Sequence, residues 1–232
     1  MSPEPAAAAG RRPLIAIDGP SGVGKSTAAR RLARRLGLPY LDTGAMYRAL
    51  ALAVLDAGAD PGDRAAVAAI AEGADLRIAP AADGGLEVLL DGAPAGERIR
   101  TPRIGEASSV IAAYPEVRRR LVALQRAGGE AHGGVIEGRD IGSRVFPGTP
   151  HKFFLTAPPE VRHRRRWEER RAAGRAASWD EVVAEIEGRD RRDAERSDSP
   201  LTFDASYTVI DTSELTADQV VDRIADAVGA RA

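Results

Sequence analysis

With 232 residues, 44% hydrophobic and 29% charged, the chain has the make-up of an ordinary globular protein with a full core, which excludes disorder as its general state. A formal net charge of −1 excludes a global attraction to nucleic acid or to an anionic membrane, so any basic site has to be local. The absence of cysteine removes disulfides, thiolate metal sites and thiol redox chemistry, and fits a cytoplasmic location.

Residues 1–12 read as a disordered tail, with an acid where a signal peptide carries bases. "RPLIAID" follows as a short branched apolar run ending in a glycine-rich turn, and "KSTAARRLARRLG" sets Leu32 and Leu36 on one helical face, so this start reads strand, loop, helix. Four more short apolar runs, at 38–42, 133–138, 152–157 and 207–212, have the near-continuous apolarity of strands buried on both faces. Helical patterns over 45–56, 115–127, 159–173, 179–192 and 217–228 separate or follow them. The alternation predicts a doubly wound α/β protein, a P-loop three-layer fold with a roughly five-stranded parallel sheet. Between 62 and 102 the texture changes: "ADLRIAP", a turn at "ADGG", "LEVLLDG" and "GERIR" read as an antiparallel meander inserted into a core made of 13–61 and 103–232. The longest apolar run, 49–58, is too short for the ~20 residues of a membrane span.

Gly19 to Ser26 spells GxxxxGKS between the first strand and the first helix, the context that marks a phosphate-binding loop. Gly19, Pro20, Ser21, Gly22, Val23, Gly24, Lys25, Ser26 and Thr27 form the predicted ATP site. Glycines let successive amides turn toward phosphate oxygens, and the helix N-terminus adds partial positive charge. Lys25 supplies a point charge for the outer phosphates and Ser26 a hydroxyl for Mg²⁺. Of 33 basic residues only Lys25 and Lys152 are lysine, which marks the loop position as one where a compact charge is required.

The loop does not name the acceptor. A guanine-specific switch reads its base with an asparagine-containing motif, and this chain has no asparagine. Motor-type ATPases end an apolar strand in adjacent acids, which fits poorly here, so a small-molecule kinase remains. Further polar clusters sit at strand ends, where ligands of such sheets bind. "LDTGAMYR" carries Asp42, Thr43 and Arg48, and "EGRDIGSRVFPG" carries Arg139 and Asp140. "GRDRRDAER" places Arg189, Asp193 and Arg196 on one helical face, able to grip a phosphate and a sugar hydroxyl together. Taken singly, each cluster also reads as a helix cap or a salt-bridge ladder. His132, His151 and His163 lie outside every motif.

These stretches, together with "IRTPRIGEASSVIAAYPEVR" and "VIDTSELTADQVV", resemble the bacterial cytidylate kinases in order and spacing over about 14–228. The resemblance implies phosphoryl transfer from ATP to CMP or dCMP, with Mg²⁺, by a monomer with an inserted CMP-binding region at 62–102 and an arginine-rich lid at about 162–178. It further implies that Arg48, Arg139 and Arg196 hold the CMP phosphate, with Thr43 contributing a hydroxyl on that side. Ser109, Arg118 and Asp140 would read cytosine, and Arg189 with Asp193 would lie at ribose and phosphate. Arg165 and Arg166 are the lid candidates toward ATP, and Lys25, Arg139 and Arg196 the groups assigned to catalysis. The competing readings are another small-molecule kinase, or a nucleotide-binding regulator that forms no CDP.

Overall fold

The structure, a computed structural model, describes residues 12–174, 177–196, 198 and 200–230. Apart from Arg12, the expected N-terminal tail lies outside them, as do 175 and 176 of the expected lid.

Strand β1 (Leu14–Asp18) leads through the glycine loop into helix α1 (Lys25–Leu36), then β2 (Tyr40–Asp42) and α2 (Thr43–Asp56). Next come α3 (Arg64–Gly73), the three short strands β3 (Leu76–Pro80), β4 (Leu86–Leu90) and β5 (Ala93–Pro94), then α4 (Pro102–Ile111) and α5 (Pro115–His132). The chain returns through β6 (Gly134–Glu137), a π-helical turn (Ile141–Val145), β7 (His151–Thr156), α6 (Pro159–Ala172), α7 (Trp179–Glu195), β8 (Thr208–Asp211) and α8 (Ala217–Gly229).

Five strands pair in the order β2-β6-β1-β7-β8, every pair parallel. Both faces are covered, which is why the strands read as continuous apolar runs. Ile15 and Ile17 of β1 pack with α1 and α8 through Leu32, Val221 and Ile224, while Ala16 faces the other way with Leu41, Ile136 and Ile141. A third cluster joins α2, α3, α4 and α5 to the small antiparallel sheet through Leu50, Val67, Val88, Ile111 and Leu121. The order places β1 between two later strands, a topological switch that opens a crevice at the carboxyl ends.

Two expectations for 62–102 are corrected. Residues 64–73 are helical because Asp63 accepts hydrogen bonds from Ala65 and Ala66 amides, and Val67, Ile70 and Ala71 then share a face on the core. "GERIR" is not a strand: Gly96–Ile99 forms a 3₁₀ turn, and the third strand is the short Ala93–Pro94. Helix α4 also escaped the pattern, although Thr101 caps it through the Ile104 amide and Pro102 opens it.

Candidate active site

The donor loop is built from backbone. Gly19 has φ 147°, and a Cβ there would lie 2.2 Å from the Leu155 carbonyl oxygen, so the loop turns flush against β7. Helix α1 begins at Gly24, φ 94°, with no side-chain cap, which leaves its first amides to an incoming oxyanion. Lys25 Nζ, buried, donates to its own loop at Pro20 O, 2.7 Å away. Burial, with Arg139 adding to it, holds the ammonium well below its usual range, and an arriving polyphosphate would restore the charge. Val23 turns its side chain into the core, so its backbone alone faces a ligand, and Thr27 is exposed on the first turn of α1.

Sheet register sets Glu137 opposite both Ile17 and Asp42, at the mouth of this loop. Its carboxylate, 3% exposed, accepts from Ser26 Oγ at 3.0 Å and from the Tyr40 hydroxyl. Burial, reinforced by Asp42, pushes Glu137 above the ordinary glutamate value. A hydroxyl beside a carboxylate suits a hard cation. Among the described residues no cluster of three or more His, Cys, Asp or Glu side chains forms a metal cage.

Facing the loop, side chains from several elements converge. Asp42 caps α2 through the Ala45 amide and pairs with Arg48 at 2.6 Å. Thr43 donates its hydroxyl to Glu137 O at 2.6 Å, which commits that proton to the backbone. Arg139 Nε donates to Asp193 at 2.8 Å, and Arg196 approaches the other Asp193 oxygen at 3.6 Å. Burial alone would raise Asp193, yet Arg139, Arg189 and Arg196 together hold it below its usual value. Arg189 is pushed down to about 10 by burial and by Arg139. Arg189 Nε and Arg196 Nε and Nη2 are buried without a hydrogen-bond partner among the described residues. Unpaired buried donors on cations are costly, and an anionic oxygen is the acceptor that would satisfy them.

A third group lies behind them. Arg118, 1% exposed, pairs with Asp140 and donates to the Tyr47 hydroxyl at 3.3 Å. Ser109 accepts from Arg192 Nε at 2.8 Å, tying α4 to α7. Arg118 also acts electrostatically on Arg196, so this group adjoins the one around Asp193.

The model of the family described as cytidylate kinase matches residues 15–230. Among curated relatives, the cytidylate kinase of Corynebacterium glutamicum is 48% identical over 222 residues, covering 94% of this chain and 95% of its own, and that of Corynebacterium efficiens is 50% identical over 210 residues, covering 90% of each. The chain belongs to the cytidylate kinase family. A solved structure of an uncharacterized protein from Eubacterium ventriosum superposes with a TM-score of 0.53 at 14% identity, covering 94% of this chain and 99% of that one, which speaks for the fold alone.

In this member of the family the structure brings together Lys25, Arg48, Arg139, Asp193 and Arg196, with Arg189 beside them, and separately Arg118 and Asp140, while Ser109 is tied to Arg192. Arg165 reaches the glycine loop at Val23 O, 3.5 Å away, and Arg166 lies close enough to act electrostatically on Arg189. Arg165 donates to Thr212 Oγ1 at 2.9 Å and to the Thr212 carbonyl, behind the glycine loop, while Arg166 pairs with Glu169 and Glu185. Arg162 also touches the loop, donating to Ser21 O at 3.0 Å, and pairs with Asp190. Asp190 in turn accepts from the Ser21 amide at 3.3 Å. Sequence reasoning missed Arg162, Asp190, Arg192, Tyr40, Glu137 and Asp18. Glu137 alone left a signal, an acid closing an apolar strand.

Proposed function

We propose that this chain transfers the γ-phosphoryl group of ATP to CMP, giving ADP and CDP, and accepts dCMP as well. The carrying observation is the set of cations shared between the glycine loop and α7, including buried guanidinium nitrogens that lack an acceptor among the described residues. Cytidylate kinase relatives of nearly full length support the same reading.

Loop amides and Lys25 would cradle the β- and γ-phosphates, with Mg²⁺ held at Ser26 and Glu137 behind it; that ion neutralises charge on the transferring phosphates. Arg48, Arg139 and Arg196 would hold the acceptor phosphate. Its second pKa near ~6 leaves it ionised at neutral pH, so no side chain has to remove a proton. The chain's task is to press two anions into line and offset their repulsion. Arg189 and Asp193 would flank ribose and phosphate, with Asp193 fixed by Arg139. Asp140, oriented by Arg118, would accept the exocyclic amino group of cytosine, and Ser109 with Arg118 would satisfy ring acceptors. Uracil offers a carbonyl there instead, and an unpaired buried polar group costs ~1–3 kcal/mol, or ten- to a hundredfold against UMP. Residues 62–102 support the acceptor side through α2 and α5, and α6 with the start of α7 acts as a flap over ATP. Arg165 already lies against the loop at Val23 O, whereas Arg166 would reach ATP only by leaving Glu169 and Glu185. A monomer in the cytoplasm completes the proposal.

Turnover with ATP and each of CMP, dCMP, UMP and AMP tests it. CDP and dCDP should form fastest; ADP release equal with and without CMP would overturn the reading.

A further inference from the structure

Asp18 is the last residue of β1, 0% exposed, and forms no ion pair within 4 Å among the described residues. A carboxylate that deep is held only if its oxygens are met by donors. Three meet it: Ile141 N at 2.9 Å, Gly142 N at 2.8 Å and the Tyr207 hydroxyl at 2.9 Å. The two amides open the π-helical turn that follows Arg139 and Asp140. They are the orphan donors of a helical start, which an aspartate at the preceding position ordinarily satisfies itself. Here Asp140 holds that preceding position and makes no side-chain cap, and its carboxylate goes to Arg118 instead.

We propose that Asp18 is a positioning residue for the acceptor nucleotide: it caps the turn in place of Asp140, which frees the Asp140 carboxylate for cytosine and fixes Arg139 against the glycine loop. The cap comes from a strand residue 123 positions before Ile141, so donor loop and base-reading loop share one rigid joint. Surrounding packing leaves that joint no slack. A Cβ on Gly142 would lie 2.7 Å from the Tyr207 hydroxyl oxygen, and one on Gly138 would lie 2.7 Å from Thr43 Oγ1 and from Ile141 Cδ1. Tyr207 is itself tethered, its amide donating to Asp204 O at 3.1 Å. Lys25 and Asp140 act on the same carboxylate through space, so both substrate sides bear on it.

The inference rests on the CMP reading above, so wild-type CDP formation is measured first; its absence would remove that reading, and the inference with it. With the wild type active, Asp18→Asn sets a donor NH2 group against one of the two N–H groups, leaving that amide without its acceptor, and lets Asp140 swing back to cap its own turn. The kcat/KM for CMP should fall roughly 10- to 100-fold, since a displacement of about 1 Å costs that much. The ratio of CMP to UMP use should narrow, while the ATP dissociation constant stays within about threefold. Tyr207→Phe removes one of the three donors and should move CMP kinetics the same way by about 3- to 10-fold, which keeps the test open if Asp18→Asn does not fold. A merely structural Asp18 would leave the CMP/UMP ratio untouched. An unchanged ratio in a folded variant, or equal losses for ATP and CMP, would overturn the inference.

Discussion

The two halves of the site are made in different ways. On the donor side, nine consecutive residues from Gly19 to Thr27 supply nearly everything through backbone amides and two side chains. On the acceptor side as proposed, Arg48, Ser109, Arg118, Arg139 and Arg196 come from α2, α4, α5, the turn after β6 and the end of α7. Backbone cradles are local and fixed by glycine geometry, whereas a constellation of side chains exists only when five elements pack correctly. Damage to the first side should therefore strike catalysis directly, and damage to the second should strike recognition of the acceptor.

The sharpest test of that contrast is Lys25→Ala. It removes the only compact charge on the loop and should lower kcat by roughly 10³-fold with CMP affinity nearly intact, as steady-state kinetics would show. Arg139→Ala comes next: kcat/KM for CMP should fall about 100-fold while nucleotide titration finds ATP bound as before, because its partner Asp193 belongs to the acceptor side. Asp140→Ala should compress the CMP/UMP preference about 10-fold or more in a competition assay, and an equal loss of ATP binding would erase the division of labour. The smallest effect is thermodynamic and concerns the joint between the halves. Burial, with the Asp140 charge also opposing ionisation, pushes Asp18 up to about 6 from 3.8, against the Ile141, Gly142 and Tyr207 hydrogen bonds. The folded state thus holds its proton more tightly than the unfolded chain, so this group's contribution to stability is full below about 3.8 and is lost as pH rises through about 6. Relative to Asp18→Asn, the wild type should gain a few degrees of Tm on acidification from pH 7.5 to 5, which differential scanning fluorimetry can follow.

The donor side and the sheet were legible because their signals are local. β1 and β6 are buried on both faces, so apolar runs revealed them, and GxxxxGKS is contiguous. Helix α3 was not, since its alanines carry no strong period and the strand-like stretch after it coloured the whole segment. Of the acceptor residues, Arg48, Arg139 and Asp140 stood out in polar clusters at strand ends and Arg189, Asp193 and Arg196 on one helical face, while Ser109 and Arg118 came from resemblance to a family alone. Who pairs with whom was beyond reach: Arg162 meets Asp190 across 28 positions and Ser26 meets Glu137 across 111, distances over which spacing says nothing. Asp18 hid for the opposite reason, as one acid before a glycine turn looks like a strand terminator.

Arg189 and Arg196 carry a last consequence. Cations crowded in a poorly solvated crevice repel one another, and an oxyanion bound among them would relieve that repulsion. Simple oxyanions such as inorganic phosphate should accordingly protect the enzyme against heat in proportion to the logarithm of their concentration, and pass for substrate in any melting screen run in phosphate buffer.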